Sequence, residues 1–257
     1  MLYVHGFGAS RAEGEVVTDV LSEELGANLY YTRLPGHGGD MEAQAAVRVE
    51  QYFERVEEAF HETRLLGEKV VLVGSSTGGL LCVWLASRHP DDVAAVVLAS
   101  PLFALADPTS FLLSKRMGMT LIELLYGKER DSSWRKGDPE HRKLDGYDDH
   151  WITRQYFRAL TPLDDVRRVA ATEQVMAAVV APILLMYYEA DEQHHDRVVS
   201  IPAMHTFFGM ANGGHPNPQS KKVAIADGSH VLMSAHVRTD KKKILEETRQ
   251  FLKAVLR

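Results

Sequence analysis

The sequence predicts an α/β protein: a doubly wound, mostly parallel sheet with helices on both faces and a helical insertion after its fourth strand. Three observations predict it. Short β-branched and apolar runs alternate with amphipathic segments. Most of those runs lack polar alternation, as strands covered on both faces do. And the alternation stops between about Leu102 and Val179, where no strand pattern is visible.

The elements follow in order. Leu2–Val4 reads as the first strand. Ser10-Arg11-Ala12-Glu13 is a capping-box pattern opening a helix that Gly26 ends. Ala27–Thr32 is the second strand, Val49–Leu66 an amphipathic helix, and Lys69–Val73 the third strand. Gly78–His89 is a helix stopped before Pro90, and Val93–Ser100 is the fourth strand. Within the break, Phe111–Tyr126, His150–Leu160 and Leu163–Val179 read as helices around a polar stretch from Gly127 to His150. Strands resume at Ile183–Tyr188 and Lys222–Ala226. Asp240–Leu256 closes the chain as a helix with Ile244, Leu245, Phe251, Leu252 and Val255 on one face. The expected organisation is therefore a core of residues 1–101 and 180–257 with residues 102–179 inserted as a cap.

A chain of 257 residues suits one large domain. Its 45% hydrophobic and 25% charged residues are those of an ordinary globular protein, and a net charge of -6 gives no reason to expect nucleic acid as a partner. The single cysteine, Cys82, excludes an intrachain disulfide and reads as a buried thiol in an apolar helix. No apolar run has the length of a membrane span, and no signal-peptide pattern follows Met1. A cytoplasmic protein acting on a small molecule is expected, in an oligomeric state the sequence leaves open. Because a strand begins almost at Met1, further strands or a targeting segment are expected ahead of this stretch.

The chemistry centres on "VGSSTGG", Val73–Gly79. In a tight strand-to-helix turn the apex residue is strained and points outward, and the positions two before and two after crowd each other. Gly74 and Gly78 flank Ser76 at that spacing; the corresponding neighbours of Ser75 are Val73 and Thr77. Ser76 is the candidate nucleophile, and a glycine-rich turn without chemistry is the alternative. A serine hydroxyl needs a base held by a third group. In a doubly wound sheet those partners gather beyond the carboxyl ends of the strands. Asp191 follows the strand ending at Tyr188 at the usual distance, with Glu189, Glu192, Asp196 and the remoter Asp107 as competitors. His230 follows the next strand, with His236 its nearest competitor. His194-His195-Asp196 invites a metal reading, but no H-E-x-x-H or paired-cysteine pattern supports it, and no cofactor or metal is expected. His5-Gly6-Phe7-Gly8 follows the first strand. Its turn places the Phe7 N–H to serve, with the Thr77 N–H, as an oxyanion donor.

These pieces, in the order "HGFG", "LPGHG" (Leu34–Gly38), "GSSTGG", Asp191 and His230, resemble the α/β-hydrolase superfamily, and most of all its carboxylesterase and monoacylglycerol-lipase-like branch. The resemblance covers the strands and the helices around them. It implies Ser76 as nucleophile, His230 as base, Asp191 as the orienting acid, Phe7 and Thr77 as oxyanion donors, and an insertion that caps the site. It also implies hydrolysis of carboxylic esters. An apolar acyl chain is favoured by the run of Phe103, Leu105, Phe111–Leu113, Met117, Met119, Leu121, Ile122, Leu124 and Leu125. A carbon–carbon bond hydrolase or a non-enzymatic ligand binder of the same fold is the alternative. In two respects the chain departs from the pattern: the strands that usually precede H-G-x-G are absent, and position 188, usually glycine, is Tyr188.

Overall fold

The computed structural model describes residues 1–107, 116–131 and 142–256. Its chain runs β1 (Leu2–Val4), α1 (Glu15–Leu25), β2 (Tyr30–Thr32), α2 (Met41–Ala45), α3 (Val49–Arg64), β3 (Val70–Ser75), α4 (Thr77–Arg88) and β4 (Val93–Ala99). It continues through α5 (Arg116–Tyr126), β5 (Glu129–Asp131), α6 (Tyr147–His150), β6 (Arg154–Tyr156), α7 (Leu160–Ala170) and α8 (Glu173–Ala177). It ends with β7 (Ile183–Tyr188), α9 (Ile201–Gly214), β8 (Lys221–Ile225) and α10 (Lys241–Val255). Six strands form one parallel sheet in the order β2-β1-β3-β4-β7-β8.

The uniform apolar strands have a simple cause. Successive side chains point to opposite faces, and both faces are covered. Val70 and Leu72 of β3 join a core with α3, α4, α7, α8 and α9; Val71 and Val73 join a second core with α1 and α10. Leu2, Val4, Val96, Leu98, Ile183 and Leu185 fall on the first side, and Tyr3, Val97, Leu184 and Met186 on the second. The α10 face read from the sequence packs here: Ile244, Phe251 and Leu252 are buried, each worth roughly 1.5–3 kcal/mol relative to exposure. Asp240 caps that helix by accepting from the Lys243 N–H at 2.9 Å.

Several local expectations are corrected. Ser10 does cap a turn, accepting from the Ala12 N–H at 3.3 Å. However, Arg11–Glu13 is a 3-10 turn, and α1 starts only at Glu15. The strand expected from Ala27 begins at Tyr30. Two further helices, α2 and α9, fill segments read from the sequence only as connections.

The larger differences lie between the neighbouring strands β4 and β7. His150–Leu160 is not a helix: β6 pairs antiparallel with β5 and runs into a short 3-10 turn. A partner ladder 25 residues away in sequence decides this, and a three-residue strand is too short for period-2 alternation to reveal. Leu163–Val179 is two helices. Ala171 leaves helical geometry, and Thr172 restarts the chain by accepting from the Val175 N–H at 3.3 Å. These two helices pack against α4, with Val166, Ala170, Met176 and Val179 inside the first core. Phe111, Leu112 and Leu113 lie outside the described residues, as does the side chain of Met117.

Among the described residues, no helix is long and apolar enough to cross a membrane. Cys82 is buried in the first core, where burial raises its thiol pKa.

Candidate active site

Ser76 stands between the last residue of β3 and the first of α4, with φ 50° and ψ -116°. A non-glycine residue in that region costs on the order of 1–3 kcal/mol and persists only where its surroundings impose it. They do so here. The Ser76 N–H donates to Ala99 O at 2.9 Å, and Ser76 O accepts from Leu80 at 3.2 Å and Leu102 at 3.0 Å. The flanking glycines are required by space. A Cβ on Gly74 would sit 2.5 Å from Gly78 O, and one on Gly78 only 2.0 Å from Val4 O. Gly78→Ala is therefore expected to cost more than about 3 kcal/mol, because backbone rather than a side-chain tip must yield. Urea unfolding of the variant beside the parent measures it.

The Ser76 hydroxyl is hydrogen-bonded to His230 Nε2 at 3.0 Å. The other ring nitrogen, Nδ1, meets Asp196 Oδ2 at 2.8 Å. The neutral tautomer that suits both contacts carries its proton on Nδ1, donates it to Asp196, and leaves Nε2 to accept from Ser76. Asp196 is 2% exposed. Its other oxygen accepts from the Val198 N–H at 2.8 Å and the Val199 N–H at 3.2 Å. Burial alone would raise its pKa. The charge and hydrogen bond of His230, with the two amides, outweigh that and hold it below the usual carboxylate value.

It is Asp196, and not the expected Asp191, that contacts His230. Asp191 is exposed, and its hydrogen bonds go to its own turn. Its Oδ1 accepts from the Gln193 and His194 N–H groups, both at 2.8 Å, and its carboxylate pairs with the His194 ring at 2.9 Å. It closes a turn. The chain after β7 doubles back: Ala190 N donates to His194 O, Glu189 bridges to His195, and Asp196 N donates to Tyr188 O. Asp196 thus sits beside the strand end although it is eight positions beyond it. Counting from the strand assumes an unfolded detour of zero length, and here a seven-residue one (189–195) intervenes. The signal for it was local: an aspartate three residues before a histidine can cap its own turn.

Ser75 is also buried, and its hydroxyl interacts with Glu13, while the hydroxyl that His230 contacts is that of Ser76. His236, the competitor of His230, contacts the Asp145 carbonyl of the inserted segment. His194 and His195 hold no metal cluster: among the described residues no three His, Cys, Asp or Glu side chains are grouped to bind an ion.

The "HGFG" and "LPGHG" stretches prove to be one unit. His5 Nε2 accepts from the Leu34 N–H at 3.1 Å, and Nδ1 donates to Gly6 O. His37 Nε2 accepts from the Gly8 N–H at 2.8 Å, and Nδ1 donates to Pro35 O. Both rings must be neutral to accept. Burial, reinforced by the neighbouring His37, pushes His5 down to about 3, and burial also lowers His37. The loop so held passes the elbow: a Cβ on Gly6 would lie 3.2 Å from Ser76 Cβ. Phe7 follows it, its ring edge-on to His37. Thr77 is the first residue of α4, so its N–H has no acceptor within the helix. The inserted segment reaches the same loop, where the Ile152 N–H donates to Gly8 O at 2.7 Å.

One further member was not foreseen as part of the site. Glu13 is 2% exposed. Its Oε2 accepts from the Gly6 N–H at 2.6 Å and from the Tyr3 hydroxyl at 3.2 Å. Burial raises its pKa, opposed by the Gly6 N–H, by His230 and by the Tyr3 and Ser75 hydroxyls.

A strained serine, a histidine and a buried carboxylate in contact on a parallel sheet can be set beside known proteins. The model of the Hydrolase_4 family, described as serine aminopeptidase, S33, matches residues 1–217. The chain belongs to this family of α/β hydrolases. Among solved structures, this hydrolase is similar to one from work on LipS and LipT, two metagenome-derived lipolytic enzymes. That likeness has a TM-score of 0.76 at 20% identity and covers 98% of this chain and 92% of that one. It is also similar to the Paleococcus ferrophilus monoacylglycerol lipase (TM-score 0.70, 17% identity, 98% of this chain and 93% of that one). At these identities the likeness establishes the α/β-hydrolase fold. A curated Mycoplasma pneumoniae protein named "Putative esterase/lipase 2" is 30% identical over 116 residues, 45% of this chain. The match spans 41% of that relative's length.

Proposed function

We propose that this α/β hydrolase cleaves carboxylic esters through an acyl-enzyme formed on Ser76. The observation that carries the reading is the continuous relay Asp196–His230–Ser76, with contacts of 2.8 and 3.0 Å, ending on a strained elbow. The esterase and lipase names of its relatives agree with it.

The steps follow from the geometry. Ser76 Oγ attacks the ester carbonyl while His230 Nε2 takes its proton. Asp196 keeps Nδ1 protonated and offsets the imidazolium charge. The Phe7 and Thr77 N–H groups receive the carbonyl oxygen as it becomes an oxyanion, aided by the positive end of α4. His230 then gives the proton to the departing alcohol. Water, deprotonated in turn by His230, releases the acid and restores Ser76.

In this reading the described residues 116–131 and 142–159 belong to the cap expected over 102–179, while α7 and α8 serve the sheet's own core. An apolar acyl chain is favoured by α5, whose Leu121, Leu124 and Leu125 are exposed and whose Met119 is buried. Phe103 does not contribute; it is stacked on Phe207 in the core at 4.4 Å.

The test is labelling with a fluorophosphonate probe followed by peptide mapping. Modification at Ser76 is expected; modification elsewhere, or none, overturns the reading. Turnover of nitrophenyl esters should rise from acetate to medium-length acyl chains. A preference for acetate alone would contradict the apolar cap, and hydrolysis of aminoacyl nitroanilides but not of esters would contradict the ester assignment.

A further inference from the structure

We propose that Glu13 is a positioning residue for the oxyanion loop: its buried carboxylate grips the Gly6 N–H and thereby sets the direction of the next N–H, that of Phe7. The inference rests on the hydrolase reading above and adds a residue to it.

The first argument is where Glu13 does not go. It stands three residues after Ser10, where a glutamate ordinarily reaches back to the N-cap N–H at the surface. Here the side chain turns inward. It takes the N–H of Gly6, seven residues earlier and outside any helix, at 2.6 Å. Burying a carboxylate is expensive and is tolerated where strong donors surround it. The donors here are Gly6 N–H, the Tyr3 hydroxyl from β1 and the Ser75 hydroxyl at the end of β3.

The second argument is distance. A Cβ on Gly6 would lie 2.9 Å from Glu13 Oε1 and 3.2 Å from Ser76 Cβ, so the glycine is clasped between the carboxylate and the nucleophile. The clasp is rigid at its far end too. A Cβ on Gly14 would fall 2.2 Å from the Tyr3 ring, so Gly14, next to Glu13, is packed flat against the residue that shares its oxygen.

The third argument is division of labour. His5 anchors the loop through Gly6 O, His37 through Gly8 N–H, and Ile152 through Gly8 O. Glu13 holds the remaining polar atom on the β1 side of Phe7. With that N–H released, the His5–Gly6 peptide can turn about Gly6, only the contacts of Gly6 O with His5 and Ala9 still steady the next peptide, and the Phe7 N–H loses its aim. A misplacement of about 1 Å at a reacting group costs on the order of 10²-fold.

The experiment compares Glu13→Ala, Glu13→Gln and Glu13→Asp with the parent, after the parent has been shown to label at Ser76. The Gln variant keeps an acceptor of the same reach; the Asp variant keeps the charge and loses the reach. Expected values of kcat are within about fivefold of the parent for Gln and roughly 10²-fold lower for Ala, with Asp between them, while KM changes less than about threefold. A trifluoromethyl ketone, whose tetrahedral adduct places an oxyanion in the hole, should lose affinity in the same ratio as kcat. A simple loss of packing would not produce that parallel. Near-parental kcat and ketone affinity in Glu13→Ala overturn the proposal. So does a Gln variant as impaired as the Asp one, and this pair decides even if the Ala variant fails to fold. A parent that labels and hydrolyses esters while Glu13→Ala is unaffected removes only this proposal. A parent that does not label at Ser76 removes the ester-hydrolase reading, and this proposal with it.

Discussion

Ser76→Ala is expected to lower kcat by about four to six orders of magnitude with little change in stability. In the proposed mechanism the nucleophile and its base act as one unit, so removing the hydroxyl forfeits the whole covalent route. What remains is the slower attack of water in a site that still binds the substrate and still stabilises an oxyanion. The substitution is also structurally mild. Backbone contacts to Ala99, Leu80 and Leu102 hold the strained elbow, and alanine keeps all of them. Ser75→Ala is the matched control. Its hydroxyl interacts with Glu13, and it is the Ser76 hydroxyl that His230 contacts, so kcat should remain within about tenfold of the parent. Steady-state ester hydrolysis and urea unfolding of both variants give the comparison. Comparable losses in the two would defeat the assignment of the nucleophile.

The second large effect separates two aspartates five residues apart. Asp196→Asn should reduce kcat by roughly 10³–10⁴-fold, because an amide no longer selects the Nδ1-protonated tautomer of His230 or offsets the imidazolium charge. Asp191→Asn should leave kcat within about twofold, since that side chain only closes an exposed turn with His194. Stability follows the same division. The folded pKa of Asp196 is depressed, so its ionisation stabilises the fold above the unfolded value near 3.8. That contribution is lost as pH falls through the lower folded value. Acid unfolding near and below that range should therefore become less steep in Asp196→Asn. Asp191 is also held below the usual carboxylate value, by the His194 ring and its turn amides, but it is fully exposed, so Asp191→Asn should change the acid limb less. Equal loss of activity in both variants, or loss in Asp191→Asn alone, would reverse the assignment.

Much of the fold was legible because its signals are local. Strands buried on both faces carry no polar residues, so Val70–Val73 and Ile183–Tyr188 announce themselves. The elbow was legible for a steric reason that needs no tertiary knowledge: two glycines flank a residue whose neighbours would otherwise collide. His230 was legible because only a short loop separates it from β8. The inserted region was the least legible. A three-residue ladder between β5 and β6 is decided by a partner far along the chain, and the break between α7 and α8 rests on a single threonine cap.

The sequence by itself determined the layered parallel sheet and singled out Ser76 and His230 as candidates for nucleophile and base. Each is written in spacing along a few covalently linked residues, where steric rules act directly. The tertiary structure alone decided which aspartate contacts His230 and which donor Glu13 takes. Asp191 and Asp196 are both aspartates after the same strand, and only the folded-back path of residues 189–195 brings the second to His230. Glu13 has the spacing of a helix cap, and only the approach of the Gly6 loop offers it a stronger donor in the interior. Hydrogen-bonding capacity is a property of the residue, but the choice of partner belongs to whatever the folded chain brings within about 3 Å.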